Sequence, residues 1–412
     1  MKSASSGLRF LPLALLAVLA AFVVARKLTA RRTPPPIASV VSSSIAIAPS
    51  SSSVAIAAHA AGPFVSVTMA HGDPSRRHRS EAHGPRSANR LWRANVRGPI
   101  QGQVVTSPDE QTLYIATLGG ELVALDRRGA ERFAVALGDR AYGAPCVAVD
   151  GTIYVGSDKK QFLGVHPDGT VAFRLEVDGE ADTACAVARG LVYFTAGSTL
   201  YAVRSRGDAA WRFRAKGKLF TAPAITDDGL VVVGSQDDHV YGVRDGKAVF
   251  AVDLGRDVDG AAVIADDGSI FVGTDAGEVV RLDASGTVSS RVRLGGYVRG
   301  LLALTHDGAV LAGTYGPTPV LARVDHGATA IVGAFPIQGT GSTDFGIHGG
   351  ALEDRDGGVY FGAQDDMVYA VAPDGIRFRY DAGGDVDAPL TLLSDGSLIV
   401  ASDAGFVDNL AP

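Results

Sequence analysis

Beyond residue 89 the chain alternates short apolar runs with turns rich in Gly, Asp and Ser. The clearest unit is an apolar strand, a turn, then a second strand ending in Gly and Ser or Thr. PCVAVDGTIYVGS (145–157), PAITDDGLVVVGS (223–235), AAVIADDGSIFVGT (261–274) and PLTLLSDGSLIVAS (389–402) lie on one another without gaps around the turn. LALTHDGAVLAGT (302–314) and ALEDRDGGVYFGA (351–363) follow the same plan. Centres of the second strand fall at Tyr114, Tyr154, Tyr193, Val232, Phe271, Leu311, Tyr360 and Ile399, at intervals of 40, 39, 39, 39, 40, 49 and 39. The recurring Asp-Gly pairs suit two-residue hairpin turns, which need positive φ. A third strand follows in each unit (ELVALD 121–126, TLYAVR 199–204, HVYGVR 239–244), then a Gly turn and a fourth strand with an aromatic. No segment holds a 3.6-residue period, and Gly interrupts every stretch, so helical readings fail.

Four antiparallel strands per 40 residues describe a propeller blade. The pattern predicts an all-β, eight-bladed propeller over residues 89–412. The last unit has three strands of its own, so NRLWRANV (89–96) is expected to supply the fourth and close the ring. Trp92 there matches Trp211, the fourth-strand aromatic of the third unit.

The first ninety residues differ. Phe10 to Ala25 is an uncharged apolar run, preceded by Lys2 and Arg9 and followed by Arg26, Lys27, Arg31 and Arg32. Residues 1–32 therefore read as an uncleaved anchor helix or a cleaved signal. Flanking charges are nearly balanced, so orientation stays open. Residues 33–88 are rich in Pro, Ser and Ala, end in a His/Arg/Gly/Pro stretch (76–86), and read as a disordered spacer. His59, His71, His78 and His83 lie in it at no metal-site spacing, and are read as solvated; the basic run is read as solubilising or touching anionic headgroups. Composition sharpens the contrast. Residues 1–90 carry 11 of the 38 Lys+Arg and 2 of the 44 Asp+Glu, a net of +9; the rest carry 27 and 42, a net of −15. An acidic folded body argues against nucleic acid as partner.

The pattern strand–Asp-Gly–second strand with Gly-Ser–third strand–Gly–aromatic, as in LYAVRSRGDAAW (200–211), resembles the repeat of quinoprotein-type (PQQ-like) β-propellers across all eight units. That resemblance implies one of two kinds of protein: alcohol or sugar dehydrogenases holding PQQ and calcium over the channel, or non-enzymatic scaffolds such as those of outer-membrane assembly. The enzymes' adjacent Cys-Cys pair is absent, since Cys146 and Cys185 are 39 residues apart. Both Trp are assigned to outer strands, and the blades carry few insertions. The expectation is a non-enzymatic scaffold of the bacterial cell envelope, with envelope protein partners and no bound PQQ or calcium. It would be anchored in the inner membrane with a periplasmic propeller, or exported. A small-molecule or cation receptor is the alternative; a PQQ-dependent oxidoreductase comes after it. Phe133, Phe173, Phe250 and Phe378 replace the family's docking Trp, which implies looser contact between blades.

Candidate chemistry is concentrated just before each first strand, at the channel mouth. Gly143, Asp182, Thr221, Asp259, Arg299, His348 and Asp387 form the expected ring, of which Asp182, Asp259, Arg299, His348 and Asp387 could bind a cation, a polar molecule or a partner. The insertion at 338–350 is expected to form a mobile loop near His348. Asp237, Asp238, Asp365 and Asp366 read as exposed turn acids. Cys146 and Cys185 occupy equivalent positions in neighbouring units. They read as unbonded small core residues, because neighbouring blades are usually farther apart than a disulfide spans.

Overall fold

The protein, a computed structural model, is described over residues 66–412. The anchor or signal reading of residues 1–32, the start of the spacer and His59 lie outside these residues. Eight four-stranded antiparallel sheets account for all the strands among the described residues, and none of those residues is helical. Blade 1 runs Val105–Thr106, Thr112–Ala116, Glu121–Asp126 and Glu131–Ala136. Blades 2 to 7 repeat that order, with inner strands at Cys146–Val147, Ala186–Ala188, Ala224–Ile225, Val263–Ile264, Ala303–Leu304 and Ala351–Glu353. In blade 8, Thr391–Leu392, Leu398–Ala401 and Phe406–Leu410 are completed by Arg90–Asn95, which pairs antiparallel with Phe406–Leu410. The N-terminal strand thus closes the ring as the repeat predicts.

Register is the same in every blade. Val105, Cys146, Ala186, Ala224, Val263, Ala303, Leu352 and Thr391 pair with Tyr114, Tyr154, Tyr193, Val232, Phe271, Leu311, Tyr360 and Ile399. These are the strand centres expected from the sequence. The second and third strands are buried on both faces because each blade packs between two others, and they are accordingly runs of Val, Ile, Leu and Tyr. Fourth strands show alternating exposure, as in Val171–Glu176 and Ile331–Pro336, since they form the outer rim.

Aromatics of the fourth strands seat against the turn Gly of the next blade. A Cβ on Gly129 would lie 2.7 Å from the Trp92 ring, and one on Gly207 would lie 2.5 Å from the Phe173 ring. Both glycines also have positive φ (81° and 92°), so only Gly fits. Phe docks as closely as Trp here, and the expectation of looser contact does not hold.

Cys146 and Cys185 are joined by a disulfide, with Cα atoms 5.6 Å apart. The expectation of two unbonded core residues is therefore wrong. Blades converge toward the axis, and inner strands come closer than average blade spacing suggests, close enough for a bond.

Candidate functional site: one channel with two unlike ends

The inner strands surround a channel, and residues 66–85 fill one end of it. This is the stretch read as disordered spacer. It follows the ring by main-chain contacts. In six blades the amide just after the registered inner-strand position donates to a carbonyl of the segment: Thr106 to Val67 at 2.8 Å, Val147 to Thr68 at 2.7 Å, Ile225 to Pro74 at 2.8 Å, Ile264 to Ser75 at 2.9 Å, Leu304 to Arg77 at 2.8 Å and Glu353 to His78 at 3.4 Å. Blades 1, 2, 4, 5, 6 and 7 are thereby tied to one strand of chain, which we term the plug. Blade 3 is joined to blade 2 by the disulfide. Blade 8 is reached by His78, which donates from Nε2 to Leu390 O at 3.1 Å.

The plug's own residues explain its fit. Ala70, Ser75, Ser80 and Ala82 are small and buried near the narrow axis. A Cβ on Gly84 would lie 2.5 Å from the Tyr360 hydroxyl, so that position accepts nothing larger. His71, Arg76 and His78 take left-handed backbone (φ 62°, 62° and 53°), which bends the segment within the channel. Their side chains are buried rather than solvated. The imidazoles of His71 and His78 stack with centroids 4.0 Å apart. Arg76, 1% exposed, donates from Nε to Pro223 O at 2.8 Å and from Nη1 to Ala70 O at 3.3 Å. Burial, the neighbouring His78 and the Arg76 charge push the His71 pKa well below the ordinary value. Burial pushes that of His78 down to about 4. Both rings are neutral at pH 7.

The basic run also has partners. Asp-Gly turns place a ring of carboxylates on this face, and Arg77 and Arg79 pair with Asp266 at 3.1 and 2.7 Å, while His83 and Arg86 both reach Asp356 at 3.0 Å. The positive segment and the acidic propeller are two halves of one contact, not a tail and a body. Both ends of the plug lie among these turns: Val67 at the Thr106 turn, and Ala82, which accepts from Arg355 N at 3.0 Å, at the turn of blade 7.

The other end is open. A cavity of about 760 Å³ is floored by Ala70 and Arg76 of the plug. Its rim is set by the residue four before each registered inner-strand position: Gln101, Tyr142, Asp182, Phe220, Asp259, Arg299, His348 and Asp387. All five charged candidates from the sequence therefore occupy equivalent places. Asp182, Asp259, Arg299 and His348 line the cavity together. Asp387 is buried in the ring, where Gln101 donates to it at 3.3 Å. Gly143 and Thr221 were expected one place out of step. Tyr142 and Phe220 hold their rim positions; Gly143 lines the cavity below, and buried Thr221 donates to Gly234 O at 3.2 Å. A Tyr and a Phe before a Gly or Thr look like core residues in sequence, and only the register of the flanking blades identifies them as rim residues.

Electrostatics divide the rim. Arg299 is clamped by both oxygens of Asp275, at 2.9 and 2.7 Å, and lies 4.4 Å over the Tyr297 ring. The Tyr315 hydroxyl and His348 Nδ1 share a hydrogen bond of 2.5 Å. Lys218 reaches Asp182 at 3.0 Å. Asp259 forms no ion pair among the described residues; burial, then Asp275 and Asp257, push its pKa up to about 6. Asp385, behind the rim, is likewise up at about 6 through burial and the carboxylates of Asp403 and Asp387.

The acidic loop pairs are not free turn acids. Asp237 accepts from the Tyr241 hydroxyl at 2.6 Å and from the amides of Lys216 and Gly217 at 3.1 Å; Asp365 accepts from the Tyr369 hydroxyl at 2.5 Å. The second Asp of each pair provides the turn, with φ of 69° at Asp238 and 64° at Asp366. In the insertion, Thr340–Asp344 are exposed, but Phe345, Gly346 and Ile347 are buried, and Phe345 O accepts from Gly316 N at 2.9 Å. That half of the loop is fixed beside the rim.

Register, closure by the N-terminal strand and the turn Gly define a class: the chain is an eight-bladed β-propeller, similar in fold to PQQ-type propellers. A family model described as outer membrane protein assembly factor BamB matches residues 79–185 and 165–250. Among solved structures the chain is similar to BamB from Moraxella catarrhalis, with 16% identity, a TM-score of 0.65, and coverage of 79% of this chain and 97% of that one. It is also similar to the computationally designed protein Ika8 (14% identity, TM-score 0.63, 79% and 100% covered). Quinohemoprotein alcohol dehydrogenase from Comamonas testosteroni matches as well, at 11% identity and TM-score 0.69, with 84% and 80% covered. At these identities the likeness is one of fold. Among curated proteins none matches the chain in sequence.

Proposed function

We propose that the chain is a non-enzymatic scaffold of the bacterial cell envelope that presents the open channel mouth to a protein partner. The observation that carries this reading is the unlike treatment of the channel's ends. The hairpin-turn face is occupied by the chain's own plug, and both plug ends lie there. The mouth keeps eight rim side chains on rigid loops over an open cavity. Rigid loops with mixed aromatic and charged groups suit protein recognition. The Cys146–Cys185 disulfide supports an oxidising compartment, in keeping with the apolar segment at residues 10–25 and an envelope location.

The donor set offers little to a quinone and its cation. Among the described residues no three His, Cys, Asp or Glu side chains converge on a metal position, and the channel beneath the mouth is filled by Ala70 and Arg76. The reading is tested by placing a photo-crosslinking side chain in cells at Tyr142 or Phe220 on the rim, and at Val149, 99% exposed on the hairpin-turn face. Defined protein adducts are expected from the rim positions and not from Val149. Adducts from Val149 alone, or dye reduction by the purified chain supplied with PQQ, calcium and an alcohol, would overturn it.

A further inference from the structure

The rim side chains differ in how far they are satisfied; Asp387 on blade 8 receives Gln101 on one oxygen and buries the other without a partner. On blades 6 and 7, Arg299 and His348 are engaged by Asp275 and Tyr315. On the side of blades 2 to 5, Asp158, Asp182 and Asp259 each bury one carboxylate oxygen that has no hydrogen-bond partner. The Asp182 side chain is only 9% exposed. A buried carboxylate oxygen without a donor is costly, and an external N–H would relieve that cost. Asp182 also stands between Tyr142 and Phe220 on the rim, and aromatic faces attract cations.

The molecule shows which cation this arc accepts. Lys218 Nζ lies 3.0 Å from Asp182, 3.6 Å from Glu180 and 3.8 Å from the centre of the Phe220 ring. One ammonium is thus already seated by carboxylates and an aromatic face. It leaves one oxygen each of Asp158, Asp182 and Asp259 unserved. Across the cavity Asp158, Glu180, Asp182 and Asp259 are balanced by Arg76, Arg140, Lys218 and Arg299, but Arg76 lies in the floor and Arg299 is clamped by Asp275, so the acids cluster on this side. The oxygens are spread along an arc, which suits the diverging N–H donors of an ammonium.

We propose that the acidic half of the mouth is a seat for an alkylammonium group, a lysine side chain carried on a loop of the protein partner, and that Lys218 is its built-in placeholder. The proposal rests on the scaffold reading for the source of the lysine. The cavity of about 760 Å³ is wide enough for a loop tip bearing that side chain.

The test is calorimetric titration of the folded propeller with Nα-acetyl-lysine N-methylamide, with the norleucine analogue and cadaverine as separate arms. Lys218→Met removes the internal competitor and is expected to bind the lysine probe about tenfold more tightly than the unaltered protein. Adding Asp182→Asn to Lys218→Met is expected to abolish that binding, with Asp259→Asn as the second variant if the first does not fold. The proposal is overturned if Lys218→Met gives no gain, if binding survives both Asn variants, or if norleucine binds equally. Cadaverine binding more tightly than the lysine probe would assign the seat to a free diamine and overturn the partner's lysine. Rim crosslinks that persist without lysine binding remove this seat and leave the scaffold. Lysine binding without rim crosslinks removes the scaffold instead.

Discussion

The two ends of the channel are built from the same eight inner strands, yet one is sealed by main-chain bonds and the other is left to side chains. At the hairpin-turn end, six inner-strand amides find carbonyls of residues 67–78. At the mouth, four residues earlier on each blade, the groups are Gln, Tyr, Asp, Phe, Asp, Arg, His and Asp, with carboxylate oxygens unpartnered. The contrast separates stability from recognition. Backbone pairing is indifferent to side-chain identity and fixes the ring, which lets the rim vary without endangering the fold.

The largest effect should come from removing the seal. Deleting residues 66–85 leaves six buried amides without partners, at about 1 kcal/mol each for the bonds alone. The sum, roughly 6 kcal/mol, is comparable to the whole stability of many domains. Thermal unfolding of the deleted chain should show either no cooperative transition or a melting temperature lower by well over 10 °C. A change of a degree or two would mean that the plug merely rests in the channel.

Next is the bond that serves blade 3, one of the two blades the plug's carbonyls do not bind. Cys146→Ser with Cys185→Ser opens a link across 39 residues and should cost about 3 kcal/mol. Denaturant titration of the double variant checks it. Reduction of the unaltered protein should give the same loss, and the two treatments together no more than either.

Acidity should act on the two ends in opposite directions. His78 is neutral in the channel with its pKa near 4, whereas in the unfolded chain it titrates near 6.5. Between those values the unfolded chain binds the extra proton. Stability is therefore complete above pH 6.5 and falls as pH drops toward 4, by roughly 3 kcal/mol for this one ring. His71, lowered for the same reason, adds to the loss. Asp259 is raised to about 6, so the folded chain holds its proton above the unfolded value of 3.8. That contribution is present below pH 3.8 and is lost as pH rises through 6. Denaturant midpoints from pH 4 to 7 should show a flatter acid limb in His78→Gln. In Asp259→Asn the decline in stability toward neutral pH should be smaller. A His78→Gln chain with an unchanged acid limb would show that the stacked imidazoles are not what acid attacks.

How much of this was legible follows from which physical signal each part carries. Blade strands alternate with Asp-Gly and Gly-Ser turns, and a 39- or 40-residue spacing fixes their register, so the ring and its closure by Arg90–Asn95 could be read directly. The plug carries no period, because its bonds use carbonyls that every residue possesses; Arg76 and His78 look solvated in sequence and become buried only through pairings with distant blades. The charge contrast between the first ninety residues and the remainder was visible, but its meaning depends on Arg77 and Arg79 meeting Asp266. Tyr142 and Phe220 escape a reading of the sequence because rim position is set by pairing register, and the residue just before the apparent inner strand falls one place later, at Gly143 and Thr221. The disulfide was missed because blade convergence near the axis is a property of the closed ring and not of any pair of repeats.

The smallest effects should be at the mouth, and their smallness is the point. Tyr142→Ala truncates a half-buried rim residue with no strand bond at stake, and Asp182→Asn keeps the shape of a side chain while removing one charge. Lys218 then loses its stronger partner but retains Glu180 at 3.6 Å and the Phe220 ring. Each change should alter unfolding free energy by no more than about 1 kcal/mol. Rim crosslinking should nevertheless fall sharply in Asp182→Asn if the acidic arc is what the partner meets. A rim substitution as destabilising as loss of the disulfide would erase the division of labour between the ends, since it would make the mouth part of what holds the ring together.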